Sequence, residues 1–224
     1  MADKTKGEAQ PRSRLTRDRV LRAAMALADE GGLDALTMRK LGQVLGVEAM
    51  SLYNHVAGKE DLLDGLVDIV FSEIDLDCNG RDWKRAMRRR ATSAREVLGR
   101  HRWAIGLMES RIHPGPATLG HHDAVLRCLR EAGFSIAMAA HAYSALDSYI
   151  YGFALQQNSL PFDTGQPAAE MVEMFLRQFP VDQYPHLAEM GAKHVMKPGY
   201  TYAQEFEFGL DLILDGLEKA RRAR

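Results

Sequence analysis

The sequence predicts an all-α protein in two parts: a small N-terminal three-helix unit built around a helix-turn-helix, and a larger C-terminal helical domain. Apolar residues recur at helical spacing along nearly all of the 224 residues, and no stretch alternates apolar with polar side chains as a half-buried strand would. Residues 36–59, LTMRKLGQVLGVEAMSLYNHVAGK, pack two short helices and a tight turn into one stretch. Helix-stopping residues fall where the periodicity lapses: Gly31-Gly32, Gly46, Asn79-Gly80, His113-Pro114-Gly115-Pro116, Gly133 and Pro198-Gly199.

The first helix is expected from Thr16 to about Glu30, with Val20, Leu21, Ala24, Leu27 and Ala28 inward and Gly31-Gly32 as its stop. Thr37 is an N-cap candidate for the second, although Lys40 rather than Glu at the third helical position leaves the capping box incomplete. Met38, Leu41, Val44 and Leu45 give that helix one apolar face, and Gly46 can enter the left-handed conformation that ends it. Val47 plugs the turn. A third helix over Glu48–His55 is too short to fold alone. Its exposed positions are Met50, Ser51, Tyr53, Asn54 and His55. A helix held by its neighbours with a polar outer face is the arrangement that enters a DNA major groove.

A fourth helix starts near Lys59 and carries Leu62, Leu63, Leu66, Val67, Val70 and Ile74 towards the second domain, with Asn79-Gly80 breaking it. A fifth, from Asp82 to about Arg100, has the apolar stripe Trp83, Met87, Ala91, Ala94 and Leu98, flanked by Lys84, Arg85, Arg88 and Arg89 as a solvated face. Further helices are expected over Trp103–Ser110, Ala117–Ala132, Ser135 (as cap) to Asn158, Pro167–Phe179, Tyr184–Met196 and Tyr202–Arg222, with a loop over residues 159–166.

Net charge is −1, which alone argues against a nucleic-acid partner. Yet residues 1–59 hold ten Lys/Arg against seven Asp/Glu, while the remainder holds nineteen against twenty-three. That asymmetry has the sign phosphate attraction requires. Arg12, Arg14 and Arg17 cluster before and at the start of the first helix, so residues 1–14 read either as a flexible basic arm that reaches phosphates or the minor groove, or as a solvated tail. The two cysteines, Cys78 and Cys128, are far apart in sequence and lack metal-type spacing, so no disulfide framework is expected and a reducing cytoplasm fits. No apolar run reaches the ~18 residues of a membrane span, and the N-terminus lacks the apolar core of a secretory signal.

Residues 15–66 resemble the DNA-binding domain of the tetracycline-repressor (TetR) family of bacterial transcription regulators. The matching pieces are LTRDRVLRAAMALADEGGLDALTMRKL, the turn GVE, and SLYNHVAGKEDLLD, with Leu52-Tyr53-x-His55 and Lys59 the most characteristic. Residues 67–224 resemble the family's ligand-binding and dimerisation domain more weakly, through Trp83, the Gly133-Phe134-Ser135 junction and SYIYGFALQQ. The resemblance implies a homodimeric, ligand-responsive regulator that represses from a palindromic double-stranded operator and is released by a small organic inducer. It implies no cofactor, no metal and no membrane partner. On this reading Met50, Ser51, Tyr53 and Asn54 lie in or at the major groove, and Arg39 reaches a base edge. Lys59 shares a phosphate with the N-terminal amides of its helix. Thr37, His55 and Tyr53 are further phosphate contacts by resemblance.

Two helices are apolar over more than one face: Ala139, Ala142, Tyr143, Leu146, Tyr149, Ile150 and Phe153 in one, and Phe206, Phe208, Leu210, Leu212, Ile213, Leu214 and Leu217 in the last. Such helices must be covered on more than one side, by core alone or by core and a second subunit. The resemblance implies the second, through a four-helix bundle.

Enzyme chemistry leaves no trace: there is no Walker motif, no Gly-x-Ser-x-Gly elbow and no His-Glu-x-x-His. A helical enzyme or carrier that lost DNA binding, and a metal sensor using His113 with His121 or His122, are the other readings; the adjacent His121 and His122 point about 100° apart on a helix and do not naturally chelate one ion. The expected ligand pocket is lined by Trp83, Met87, Arg90, Trp103, Met108, His121, Tyr143, Asp147 and Tyr151. The positions that hold tetracycline in the family's namesake fall near Asp75, Arg90, Ala94, Met108 and Val125, none of the namesake's residue type, and its magnesium-linked carboxylate falls near neutral Gln156. Arg90 can meet an anionic group of a ligand. Asp147, in the middle of an apolar helix, needs a partner: a ligand, an intramolecular Arg or Tyr, or a contact across a dimer seam.

Overall fold

The structure, a computed structural model, describes residues 14–78, 82–160 and 180–223. Most of the basic arm, Asn79-Gly80, most of the 159–166 loop and the helix expected over Pro167–Phe179 lie outside the described residues. Among the described residues all regular structure is helical. The chain divides into two compact units, Met1–Leu66 and Val67–Arg224.

In the first unit, α1 (Arg17–Ala35) starts at Thr16, whose hydroxyl oxygen accepts from Arg19 N at 3.2 Å. Gly31-Gly32 does not end it. Gly32 takes φ 70° and interrupts the helix, and helical bonding resumes as far as Ala35. In α2 (Met38–Leu45) Thr37 caps Lys40 N at 3.1 Å. Leu41 is fully buried but Val44 is 58% exposed, so Val44 does not belong to the apolar face. At 100° per residue the inward arc runs from Leu41 through Leu45 to Gly42, and Val44 lies beyond its other edge, on the flank away from Gly42. Gly46 closes α2 at φ 68°, ψ 34°, the left-handed geometry a Cβ would oppose.

The third helix is shorter than its apolar pattern suggests. α3 covers only Ala49–Leu52. Beyond it the amides of Tyr53, Asn54 and His55 bond three residues back, so the chain tightens into a turn rather than continuing the α-helix. α4 (Lys59–Glu73) crosses the boundary between the units. It stops short of Asn79-Gly80, and Ile74 lies beyond it.

In the second unit, α5 (Trp83–Arg100) is capped by Asp82, which accepts from Arg85 N at 3.0 Å. α6 (Ile105–Met108) is shorter than the expected Trp103–Ser110. α7 (Pro116–Glu131) and α8 (Ile136–Ser159) follow, with Ser135 accepting from Met138 N at 3.2 Å. α9 (Pro185–Met190) passes into a wide π-type turn over Gly191–Val195, and α10 (Tyr202–Arg222) completes the described chain. α8 is the central helix, with α5, α7 and α10 packed on it.

Two contacts set this packing. Asp68 of α4 accepts from both the amide (2.8 Å) and the hydroxyl (3.0 Å) of Thr118, so a carboxylate sits on the positive N-terminal end of α7. Tyr149 of α8 donates its hydroxyl to the carbonyls of Phe206 (2.9 Å) and Glu205 (3.2 Å) on α10. The approach requires glycine at 209, because a Cβ there would lie 2.2 Å from that hydroxyl.

The charge run on α5 is not simply solvated. Lys84 pairs with Asp215 and Arg88 with Asp211, both on α10, and Arg89 pairs with Asp75. The wide apolar arcs of α8 and α10 largely face each other within one chain. Tyr149 stacks on Phe206, Phe153 stacks on Tyr202, and Leu210 and Leu214 are fully buried. The surface left outside carries Phe208 and Leu212, 65% and 61% exposed, on α10 and small residues such as Ser144, Ser148 and Gly152 on α8.

Candidate DNA-reading face and ligand site

α3 has no side-chain cap of its own, so its placement comes from neighbours. Leu52 points inward and is fully buried, which leaves Met50 75% and Tyr53 47% exposed. Asn54, Arg39 and Lys59 are exposed, and Ser51 and His55 are half-buried. Thr37 uses its oxygen to cap α2 and keeps a hydroxyl proton for an acceptor such as a phosphate. The eight sequence-predicted DNA residues thus lie on α2, on α3 and its following turn, and at the start of α4, all within the first unit.

One arginine fixes that geometry. Arg17 donates to Asp61 through two bonds, 2.7 and 2.8 Å, and its guanidinium also reaches the His55 carbonyl at 3.1 Å. Asp61 accepts a further bond from Ala57 N at 2.8 Å. The start of α1, the turn after α3 and the first turn of α4 are thereby tied together. The Arg17 bonds hold the Asp61 carboxyl below its usual range. Arg17 therefore does not belong with the arm arginines as a phosphate seeker. It holds the turn after α3 in place. The signal in the sequence was Asp61 at the third position of a helix, where a carboxylate reaches back to an amide; nothing local pointed to Arg17 as its partner.

In the second unit, Arg90 of α5 is 1% exposed and Asp147 of α8 5% exposed. They bond to each other, Arg90 Nη2 donating to Asp147 Oδ1 at 2.6 Å. Arg90 Nε also donates to His121 Nε2 of α7 at 2.9 Å. That bond places the His121 proton on Nδ1 and makes the ring an acceptor. Burial, with the Arg90 charge beside it, pushes His121 down to about 3, so the ring is neutral at physiological pH. Among the described residues, Arg90 Nη1, Asp147 Oδ2 and the Tyr151 hydroxyl are buried without a hydrogen-bond partner. Burial raises the Tyr143 and Tyr151 hydroxyls well above the ordinary phenol range, so both remain protonated donors.

The structure thus brings Arg90, His121 and Asp147 together, with Tyr143 and Tyr151 one helical turn either side of Asp147. It adds His122, whose Nδ1 lies 2.6 Å from the Tyr143 hydroxyl, and Phe71, which packs edge-on to the His122 ring. Nothing in the sequence paired His122 with Tyr143. The two adjacent imidazoles turn to different partners, as the 100° step requires. Met87 and Met108 are buried in the same domain and Trp103 is half-buried beside His101. Trp83 is elsewhere: its indole donates to Glu218 of α10 at 3.2 Å and meets Phe134 edge-on, so it serves the α5–α10 packing. Ala94 and Val125 are core residues, and Gln156, an exposed amide, accepts from Tyr202. A cavity of about 500 Å³ lies between the end of α8, α9 and the start of α10, lined by Leu160, Met190, Val195, Tyr200 and Tyr202. It includes none of the sequence-predicted ligand residues.

Residues 20–66 match the bacterial regulatory proteins of the tetR family, and residues 77–221 match the tetracyclin repressor-like C-terminal domain. The chain belongs to the TetR family. As a TetR-family protein it is a ligand-responsive, DNA-binding transcription regulator and not an enzyme. Among its relatives is the HTH-type transcriptional repressor DrrR1 of Streptomyces coeruleorubidus, 34% identical across 93% of this chain and 79% of that protein. The class C tetracycline repressor protein of Escherichia coli is 32% identical across 93% of each. ActR of Streptomyces coelicolor, solved both alone and in complex with actinorhodin, superposes with a TM-score of 0.75 at 28% identity, covering 93% of this chain and 97% of ActR. No helix among the described residues of this TetR-family chain is long and apolar enough to cross a membrane.

Proposed function

We propose that this chain acts in the cytoplasm as a homodimeric repressor, released from a palindromic operator when a neutral organic ligand carrying a hydroxyl beside a carbonyl binds at Arg90, Asp147 and Tyr151. The observation that carries the ligand reading is the pair of orphaned atoms on a buried ion pair. Asp147 already neutralises Arg90, so an anion gains little there, contrary to the expectation from Arg90 alone. What remains is one N–H donor, one carboxylate acceptor and one phenol. A ligand carbonyl answers the first and a ligand hydroxyl the second, and both bonds are charge-assisted and buried. Actinorhodin in ActR shows that a domain of this architecture can hold an organic molecule.

The route to the DNA is α4. Ligand contact at His121 acts on α7, and α7 is tied to α4 through Thr118 and Asp68. α4 continues into the first unit and begins at Lys59. A ligand that binds the DNA-incompetent arrangement better by ~3 kcal/mol weakens operator binding about a hundredfold.

At the operator, Met50, Ser51, Tyr53 and Asn54 meet the major groove, Arg39 a base edge, and Thr37, His55 and Lys59 phosphates. Two-fold pairing through Phe208, Leu212 and the small residues of α8 presents two such faces to a palindrome. Charges at Leu210 and Leu214 do not test this pairing, since those side chains lie inside one subunit. Phe208→Glu with Leu212→Glu does, by giving a folded monomer in sedimentation.

The experiment for the ligand uses 1,8-dihydroxyanthraquinone, anthraquinone and anthraquinone-2-carboxylate against protein bound to DNA from upstream of its own gene. Release by the dihydroxy compound alone, lost in Asp147→Asn, is expected. Equal or better release by the carboxylate overturns the neutral-ligand reading.

A further inference from the structure

The second unit also contains an unassigned pair of thiols. Cys78 lies in the connection between α4 and α5, half-buried, and Cys128 lies on α7, 4% exposed. The Cys78 thiol reaches the Ala124 carbonyl at 3.8 Å. Ala124 is one helical turn before Cys128, so the Cys78 sulfur rests on the rung of α7 from which Cys128 projects. The two thiols are within hydrogen-bonding reach of one another, and both are reduced. Sequence separation suggests no bridge between them, and none is present; the position of Cys78 against α7 nonetheless brings the two thiols together.

We propose that Cys78 and Cys128 are an oxidisable dithiol that closes to an intrachain disulfide and clamps the segment after α4 to α7. Hydroperoxide is the oxidant class. The half-exposed Cys78 meets it first: its sulfur gives up its proton and attacks the O–O bond, takes one oxygen to become a sulfenic acid, and the departing hydroxide takes up that proton as water. Cys128 then attacks that sulfur. The S–O bond breaks, the S–S bond forms, and the departing oxygen leaves as water with the Cys128 proton. Two thiols and one peroxide give one disulfide and two waters, with both electrons passing to the peroxide. Burial pushes the Cys128 thiol up to about 12, which fixes this order: Cys128 stays protonated and unreactive until an activated sulfur is beside it. A dithiol reductant reverses the bond by exchange.

The clamp has a defined mechanical target. Asp68 already joins α4 to the first turn of α7, and the disulfide would join the chain after α4 to its last turns. α7, which carries His121, is then fixed at both ends. The further expectation that oxidation blunts inducer response rests on the proposed ligand site; formation of the bond does not.

The test treats the reduced full-length protein with equimolar hydrogen peroxide, denatures it in an alkylating agent and maps peptides without reduction. A Cys78–Cys128 cross-link, a loss of two hydrogens in mass and restoration of two alkylatable thiols by reductant are expected. A melting temperature higher by about 5 °C should accompany it, from the long loop closed. Cys128→Ser should stop at oxidised Cys78 and show no such rise. A sulfinic acid at Cys78 with Cys128 still alkylatable, or bonds only between chains, overturns the proposal. In a parallel arm the dihydroxyanthraquinone is added to reduced and oxidised protein on DNA. Release from the reduced form only supports the clamp, and equal release from both overturns its mechanical role. Release from neither, with the cross-link mapped, refutes the ligand site and leaves the dithiol standing.

Discussion

In the first unit the Arg17–Asp61 pair keeps 45% and 32% of its side-chain surface in contact with solvent, and both Asp61 oxygens have donors. In the second, Arg90 and Asp147 keep 1% and 7%, and each retains an orphaned atom. An exposed pair gains little Coulomb energy in water and loses little on forming, so its value is geometric. A buried pair has lost its hydration and is often less stable than an apolar pair of the same volume. Holding one with open valences in an apolar domain is unfavourable for folding, which sets the Arg90–Asp147 pair apart from the rest of the core. The polar contacts of the Arg17–Asp61 pair in the first unit are thus satisfied beside an exposed face, while those of the Arg90–Asp147 pair in the second are buried and incomplete among the described residues.

The sharpest break in this contrast comes from removing one buried partner. Asp147→Leu should destabilise the second unit by about 3–5 kcal/mol, by stranding a guanidinium. Adding Arg90→Met should recover most of that loss in denaturant unfolding. A double variant as unstable as the single would mean that the pair is a stabiliser, like any well-packed contact.

On the reading face the expected effect is in recognition, not folding. Arg39→Ala should lower discrimination at one base-pair position per half-site by ~1–3 kcal/mol while leaving the unfolding midpoint in place. Selection from random DNA reads this directly, and an unchanged base preference would remove Arg39 from readout.

Acid should separate the two regions further. His121, held neutral down to about 3, binds its proton in the unfolded chain near the usual 6.5. Over that window the unfolded state holds more protons, so stability falls as pH falls, by up to about 1.4 kcal/mol per pH unit. His121→Gln should flatten the slope between pH 6 and 4. An identical slope in the variant would assign the acid sensitivity to other groups.

The smallest expected free-energy change belongs to Asp61. Its carboxyl is lowered, so its contribution is present at neutral pH and fades only as the pH drops below the ordinary carboxylate range. Asp61→Asn should cost about 0.5–1 kcal/mol in unfolding, yet weaken operator binding by more than that, because the turn after α3 loses its anchor. Equal losses in the two assays would make Arg17 and Asp61 ordinary surface residues.

Local chemistry was legible from the sequence. Thr37 and Ser135 each announced a helix start, and Gly46 and Gly133 each a stop, because a cap acts within a few residues of itself. The exposed face of Met50, Tyr53 and Asn54 was legible too. What periodicity could not supply was the partner across space. Asp147 required a mate, but whether Arg90, a tyrosine, a ligand or another subunit filled that need depends on how α5 and α8 cross. Lys84 and Arg88 face solvent as read, but their partners Asp215 and Asp211 could not be named because they lie more than a hundred residues on. His122 had no nameable partner because Tyr143 is on another helix. Val44 and the length of α3 were missed for a different reason: helices this short are shaped by what packs on them more than by their own pattern.

Gly209 and Tyr149 leave a mark on how this sequence can change over generations. A methyl group at 209 collides with the phenol, and a phenylalanine at 149 abandons the carbonyls of Glu205 and Phe206 without removing the ring carbons that also crowd 209. Neither first step is neutral, and the obvious second step does not rescue it. The two positions therefore behave in inheritance as a single character: descendants should keep the glycine and the tyrosine together, or exchange both for a pair of different shape.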